Sequence, residues 1–323
     1  MDNNERLAQA TATARLLEDR LNEVLTGQPD VVREVLIGLF AGGHVLLEGM
    51  PGLGKTLLVR TLGRCLSLPF GRIQFTADLM PSDVTGHAIF DMREERFRIR
   101  RGPVFTSLLL ADEINRAPAK TQAALLEVMQ ERQVSIEGRG LSLEPPFMVL
   151  ATQNPIEQDG TYPLPEAELD RFLFKILLDY PDEQAEQALV HHRLSGRISD
   201  TLEVEALEPV AERRDLLEIQ SLVRELTLDD QLVAYAVRLA RGTRGFPGLL
   251  RGAGPRASIA LCQAGRARAL LEGRDFVTPD DIKAVAPPVL RHRLSLSADA
   301  EIEGRDPEQM LATLLEQVEA PRQ

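Results

Sequence analysis

Tryptophan is absent from this 323-residue chain, cysteine occurs twice, and aromatic residues make up only 4%. Cys65 and Cys262 are too few and too distant in sequence for a disulfide framework or a zinc cluster, which points to a reducing compartment; both read as small core residues. No stretch reaches the ~18 uncharged apolar residues that a membrane-spanning helix needs. The opening MDNNERLAQATATARLLEDR is too polar for a secretory signal, so a soluble, cytoplasmic protein is expected. Positive charge is short as well: 37 Lys and Arg against 49 Asp and Glu leave a net charge of −12. Such a surface repels phosphate backbones, and the scarcity of rings gives bases little to stack on, so nucleic acid is disfavoured as the main partner. One local exception is the basic run Arg93, Arg96, Arg98, Arg100 and Arg101.

Hydrophobic residues are plentiful at 44%, enough for one large core and a smaller one. Apolar positions at helical spacing fill residues 5–40, broken by Thr26-Gly27-Gln28-Pro29 into two helices. Short apolar runs then alternate with helical patterns: HVLLEG, a helix from Lys55, RIQFT, VFTSLLLADE, a helix over 120–132, PFMVLATQN and FLFKILLDY. Strand and helix in this rhythm predict an α/β fold with a parallel sheet covered on both faces. AIFDMREERFRIRRG and QVSIEGRGLSLE interrupt it as β-hairpins, the first turning at Arg93-Glu94-Glu95 and the second at Gly-Arg-Gly. From Pro181 onward the pattern is helical, with helices predicted near 214–225, 229–241, 256–272 and 279–285 and one at the carboxyl end. The predicted organisation is a parallel-sheet core with its amino-terminal helices over 1–196, a polar linker over 197–212 and a helical region over 213–323.

Gly49-Met50-Pro51-Gly52-Leu53-Gly54-Lys55-Thr56 fits GxxxxGK[ST] between a strand and a helix, with Leu57 next on that helix. Glycines let backbone N–H groups converge on phosphate, the helix start adds positive potential, Lys55 reaches the β- and γ-oxygens, and Thr56 ligates magnesium. LLLADE delivers Asp112 and Glu113 at a strand's carboxyl end, where Asp112 suits the magnesium shell and Glu113 suits activation of water. No guanine-reading Asn-Lys-x-Asp follows, and Asn115-Arg116-Ala117-Pro118 abuts the acids rather than lying two strands on, so ATP is the expected nucleotide. Asn154, at the end of another strand, is either a contact to the γ-phosphate or the water, or part of an ordinary strand-end turn. Arg171, behind YPLPEAELD, is either a cation for the transition state or half of a surface pair with Asp170. Arg256 opens a long helix as a γ-phosphate contact or as an ordinary solvated helix start, and residue type leaves both open. His44, at a strand start, is expected to make an ordinary hydrogen bond.

In this order the motifs resemble the AAA+ ATPases. GGHVLLEGMPGLGKT, LLLADEINRAPAKTQAALLEVMQERQV, ATQNPIEQDGTYPLPEAELDRF and DFVTPDDIKAVAPPVLRHRL are similar to the MoxR family in particular. The resemblance implies a five-stranded parallel αβα P-loop core, the two hairpins as insertions, a small all-α lid, and a ring, usually hexameric, with ATP and Mg2+ between subunits. It makes Asn154 sensor 1, Arg171 the arginine finger and Arg256 sensor 2, and it puts Gly27 and Gln28 near adenine. No catalytic motif departs from the family pattern. Relatives of this kind act as chaperones on protein clients, often with a von Willebrand factor A domain partner. A nucleic-acid motor or loader on the same fold, and a nucleotide-gated scaffold with negligible turnover, are the competing expectations.

Overall fold

The computed structural model describes residues 2–155, 160–194 and 204–321. Its centre is a five-stranded parallel sheet. In chain order the strands among the described residues are β1 (Val45–Gly49), β2 (Phe70–Gln74), β3 (Gly86–Asp91), β4 (Arg96–Arg101), β5 (Leu108–Asp112), β6 (Gln133–Ile136), β7 (Arg139–Ser142), β8 (Met148–Gln153), β9 (Phe174–Leu178), β10 (Leu249–Arg251) and β11 (Ser295–Leu296). The central sheet runs β2-β5-β8-β1-β9. Its inner strands are buried almost throughout, as a parallel sheet covered on both faces requires.

Period-two alternation sorts the strand residues into two cores. Val45, Leu47, Leu108, Leu110 and Leu150 face one apolar cluster, whereas Leu46, Leu109, Ala111, Val149 and Ala151 face another. The first cluster is shared by α1 (Asn3–Val24), α2 (Pro29–Phe40), α3 (Lys55–Cys65) and the helices of the carboxyl-terminal region. The second lies under α4 (Pro81–Thr85), α5 (Ala119–Glu131) and both hairpins. Two further helices flank β9: α6 (Glu166–Leu169) before it and α7 (Glu183–Leu194) after it.

β3 pairs with β4 and β6 with β7, so both predicted hairpins form. The second turns at Glu137-Gly138 rather than Gly-Arg-Gly, with Arg139 and Gly140 already in β7. Both turn residues have positive φ, 49° and 72°, the pair that a two-residue hairpin turn matching strand twist demands.

After residue 204 the chain is mainly helical, with helices Arg213–Glu225, Asp230–Gly242, Pro255–Leu271, Pro279–Leu290 and Pro307–Gln317. It is not all helical, because β10 and β11 form an antiparallel ribbon. The fourth helix also outruns its predicted end at 285, passing through Pro287 and Pro288. Two backbone donors are lost there, yet Val285, Ala286, Val289 and Leu290 are all buried, and that packing overrides the local preference to stop. The predicted linker lies outside the described residues up to 203. Its remainder is tied to α3, since Val210 and Ala211 donate to Cys65 O and Leu207 O accepts from Arg64. α1 bridges the two regions: Thr11 Oγ1 donates to Leu270 O, and Arg6 pairs with Glu218 at 2.6 Å. Among the described residues no helix is long and apolar enough to cross a membrane.

Candidate functional site

β1 ends against β9 so closely that a Cβ on Gly49 would lie 2.6 Å from Leu178 O. The chain then loops through Met50–Gly54 into α3. Gly52 and Gly54 take φ of 89° and 80°, and a Cβ on Gly52 would meet nothing within 4 Å, because the loop faces a cavity. That cavity, about 400 Å³, brings together Lys55 and Thr56 from the start of α3, Asp112 and Glu113 from the end of β5, and Asn154 just after β8. Lys55 Nζ donates to Gly49 O at 2.7 Å, across the mouth of the loop. Burial pulls its ammonium below the usual lysine value, with Asp112, Glu113 and Glu48 opposing the shift.

Pro51, Gly52, Gly54 and Leu57 also line an adjoining, more apolar cavity of about 520 Å³ that includes Leu25, Leu53, Tyr180 and Val190. Gln28 lines it and donates to Leu53 O at 3.3 Å. Gly27 stands behind, where a Cβ would come 2.5 Å from Ala185 Cβ on α7. Met50 packs on the main core. A polar cradle joined to an apolar slot suits the triphosphate and base of ATP, and a hydroxyl beside a carboxylate is the hard oxygen set that magnesium takes.

The two acids are held by residues that the motifs do not include. Buried Thr152 on β8 accepts from Glu113 N–H at 2.8 Å and donates its hydroxyl to Asp112 Oδ1 at 2.7 Å. Glu113 occupies the left-handed region at φ 55°, a conformation costing about 1–3 kcal/mol for a non-glycine residue, and the Thr152 bond holds it there. From β2, Arg72 pairs with Asp112 Oδ2 at 2.6 Å and Gln74 Nε2 donates to Glu113 Oε2 at 2.7 Å. Both line the loop cavity. The signal that would have found all three is position: each lies on a strand hydrogen-bonded to β5, Arg72 midway along β2, Gln74 at its end and Thr152 one residue before the end of β8.

Arg171 and Arg256 are elsewhere. Neither is among the described residues lining the P-loop cavity; both border a second cavity, about 440 Å³, with Arg132, Asp170 and Arg293. Arg171 Nη1 donates to Leu126 O at 3.0 Å, and its Nε lies 2.8 Å from Glu168 Oε2. Asp170 instead faces Arg293 at 2.7 Å and Arg256 at 3.7 Å. The predicted site residues therefore form two groups, one at the P-loop and one at the junction of the core with the carboxyl-terminal region. His44 makes the expected ordinary contacts, with Met129 O and Val149 N.

Residues 44–174 match the family model of ATPases associated with various cellular activities, and residues 248–314 match the AAA lid domain. The protein YeaC of Bacillus subtilis is 44% identical over 94% of both chains. The chaperone MoxR1 of Mycobacterium tuberculosis is 43% identical, over 98% of this chain and 85% of its own, and the protein MoxR of Paracoccus denitrificans is 36% identical over 92% of each. A crystal structure from Cytophaga hutchinsonii matches with a TM-score of 0.90 and 41% identity over 98% of both chains.

Proposed function

Because this chain belongs to the MoxR family of AAA+ ATPases and is an ATP hydrolase, we propose that it works as a ring, hexameric in its family's manner, that hydrolyses ATP between protomers to remodel or mature a protein client. The observation carrying this reading is the separation of the two groups of residues. One protomer presents a nucleotide cradle with both acids, and presents its two arginines at a different cavity. A neighbouring copy that brought Arg171 and Arg256 to the cradle would complete the site.

In that arrangement Gly49–Thr56 binds the phosphates through backbone N–H groups, and Lys55 counters their charge. Gln28 and Leu57 border the base slot with Gly27 packed behind. Thr56 and Asp112 would hold a magnesium ion, which supplies charge neutralisation on the phosphate oxygens when bound. Glu113 accepts a proton from the attacking water, Asn154 orients that water, and the neighbour's Arg171 and Arg256 stabilise the charge spreading over the transferred group. Such a cation is worth about 10³-fold or more in turnover.

A protein client is favoured over nucleic acid because Arg96 and Arg98 of the basic hairpin already pair with Asp91 and Glu94. A von Willebrand factor A domain partner would fit the family pattern. The test is a mixing experiment: Arg171→Ala and Glu113→Gln subunits, each inactive alone, should regain ATPase activity together, because each supplies what the other lacks. Co-assembly without recovered turnover overturns the shared site.

A further inference from the structure

Three successive residues of the lid, Arg291, His292 and Arg293, hold the core segment that carries Arg171, and from this we infer that Arg293 is a positioning residue for Arg171. The inference rests on Arg171 acting across the protomer junction. Arg293 follows the Pro279–Leu290 helix, and its side chain is only 4% exposed. Its guanidinium donates to Asp170 Oδ1 at 2.7 Å, to Asp170 O at 3.3 Å, to Phe172 O at 2.7 Å and to Leu173 O at 3.3 Å. It also donates to Val289 O of the preceding helix. Carbonyls on both sides of Arg171 are thus fixed by one planar group anchored in the lid.

The neighbours of Arg293 reinforce the grip. His292 Nε2 lies 3.1 Å from Phe172 O, and Arg291 Nη1 donates to Lys175 O at 3.0 Å. Asp170 presents one carboxylate oxygen to Arg293 and the other to Arg256, so a single carboxylate sets Arg256 relative to the backbone of Arg171. The Arg171 side chain is held within the core by Glu168 and Leu126 O, and its backbone N–H donates to Glu168 O at 3.2 Å, so the lid's part is to hold the carbonyls on either side of it.

Gluing two regions together does not call for a buried guanidinium. Burial pulls the Arg293 pKa down while Asp170 opposes it, and packed apolar residues would join the surfaces at less expense. The core and lid are already joined by the Pro255–Leu271 helix and α1, which share the main apolar cluster with α2. What a five-donor fork adds is exact direction, and misplacing a transition-state cation by ~1 Å can cost about 10²-fold in rate.

The experiment uses the full-length protein and Arg293→Lys, whose ammonium keeps the charge but cannot span five acceptors. Turnover is expected to fall about 10- to 100-fold, with KM for ATP within about 2-fold because the P-loop cavity is untouched. Mixing with Glu113→Gln subunits should recover activity, since those subunits lend a correctly held Arg171 to the intact acids of Arg293→Lys. Asp170→Asn, at the other end of the same ion pair, should give the same three results and stands in where Arg293→Lys does not fold. Wild-type turnover in the variants, or lost turnover that mixing does not recover while Arg171→Ala is recovered, overturns the positioning role. Failure of Arg171→Ala itself to recover removes the shared site and this role with it.

Discussion

Thr152 Oγ1 donates to Asp112 Oδ1 at 2.7 Å and itself accepts from the backbone N–H of Glu113. One buried hydroxyl thereby sets the direction of one acid and the backbone strain of the other. Thr152→Val keeps the shape and deletes both bonds. With a hydrogen bond to a charged group worth ~1.5–3 kcal/mol, turnover should fall about 10- to 100-fold, and Thr152→Ser should restore most of it. Steady-state phosphate release from the two variants checks this.

Gly27 ties the base slot to α7. Alanine there meets Ala185 Cβ at 2.5 Å and must adopt φ near 82°. Left-handed backbone at a non-glycine residue costs roughly 1–2 kcal/mol, and the clash pushes α7, with Val190, away from the slot. Gly27→Ala should weaken ATP binding about tenfold, equivalent to ~1.4 kcal/mol. Titration with a fluorescent ATP analogue measures it, and the wild-type Kd in the variant would refute the link.

Asp281 is completely buried at the start of the Pro279–Leu290 helix, accepting from Thr278 N–H and Oγ1 and pairing with Arg268 and Arg274. Burial alone would raise its pKa; Arg274 and Thr278 outweigh that and hold it below the ordinary aspartate value. A depressed folded pKa contributes stability above the unfolded value, about 3.9, that is lost as pH falls through the folded pKa. Asp281→Ala leaves two arginines facing a void and should cost about 3–5 kcal/mol at neutral pH. Urea unfolding at pH 7 and near pH 3 should show the difference between variant and wild type shrinking in acid.

His44 is buried, and burial pushes its pKa down to about 4, aided by Arg132 and opposed by its bond to Met129 O. Accepting from Val149 N–H fixes the neutral ring with its proton on Nε2. Because the folded value lies below the unfolded one, about 6.5, stability is complete above pH 6.5 and erodes as pH falls toward 4, by about 3 kcal/mol in all. His44→Gln can serve both hydrogen-bond partners without titrating. Its stability should change less between pH 7 and pH 4.5 than that of the wild type, and an equal slope would refute the assignment.

Elements whose apolar pattern matches their own period were legible before folding: the sheet strands, α2, α3, α5 and the helices near 230 and 255. The phosphate loop was legible because glycine spacing is local chemistry. Thr152 was not, since it ends an apolar run as an ordinary strand residue and gains meaning only when β8 pairs with β5. Arg171 and Arg256 were readable as candidates but not as companions, because 85 residues of chain separate them and only the docking of the lid places both around Asp170. The run through Pro287-Pro288 and the β10–β11 ribbon escaped for the same reason: burial and pairing with distant segments decide them.

The main apolar cluster runs unbroken from Ala10 in α1, through the sheet, to Leu315 in the Pro307–Gln317 helix. The lid is consequently not a transplantable part. Grafting it alone from a distant homologue would demand matched changes in α1 and α2, and expressing the first 196 residues alone would bare a wide oily face and invite aggregation. The β3–β4 hairpin is the reverse case at its tip: Met92 and Phe97 are 81% and 73% exposed, so the tip can be exchanged between relatives as long as Ala88 and Ile99, which pack on the second cluster, are kept.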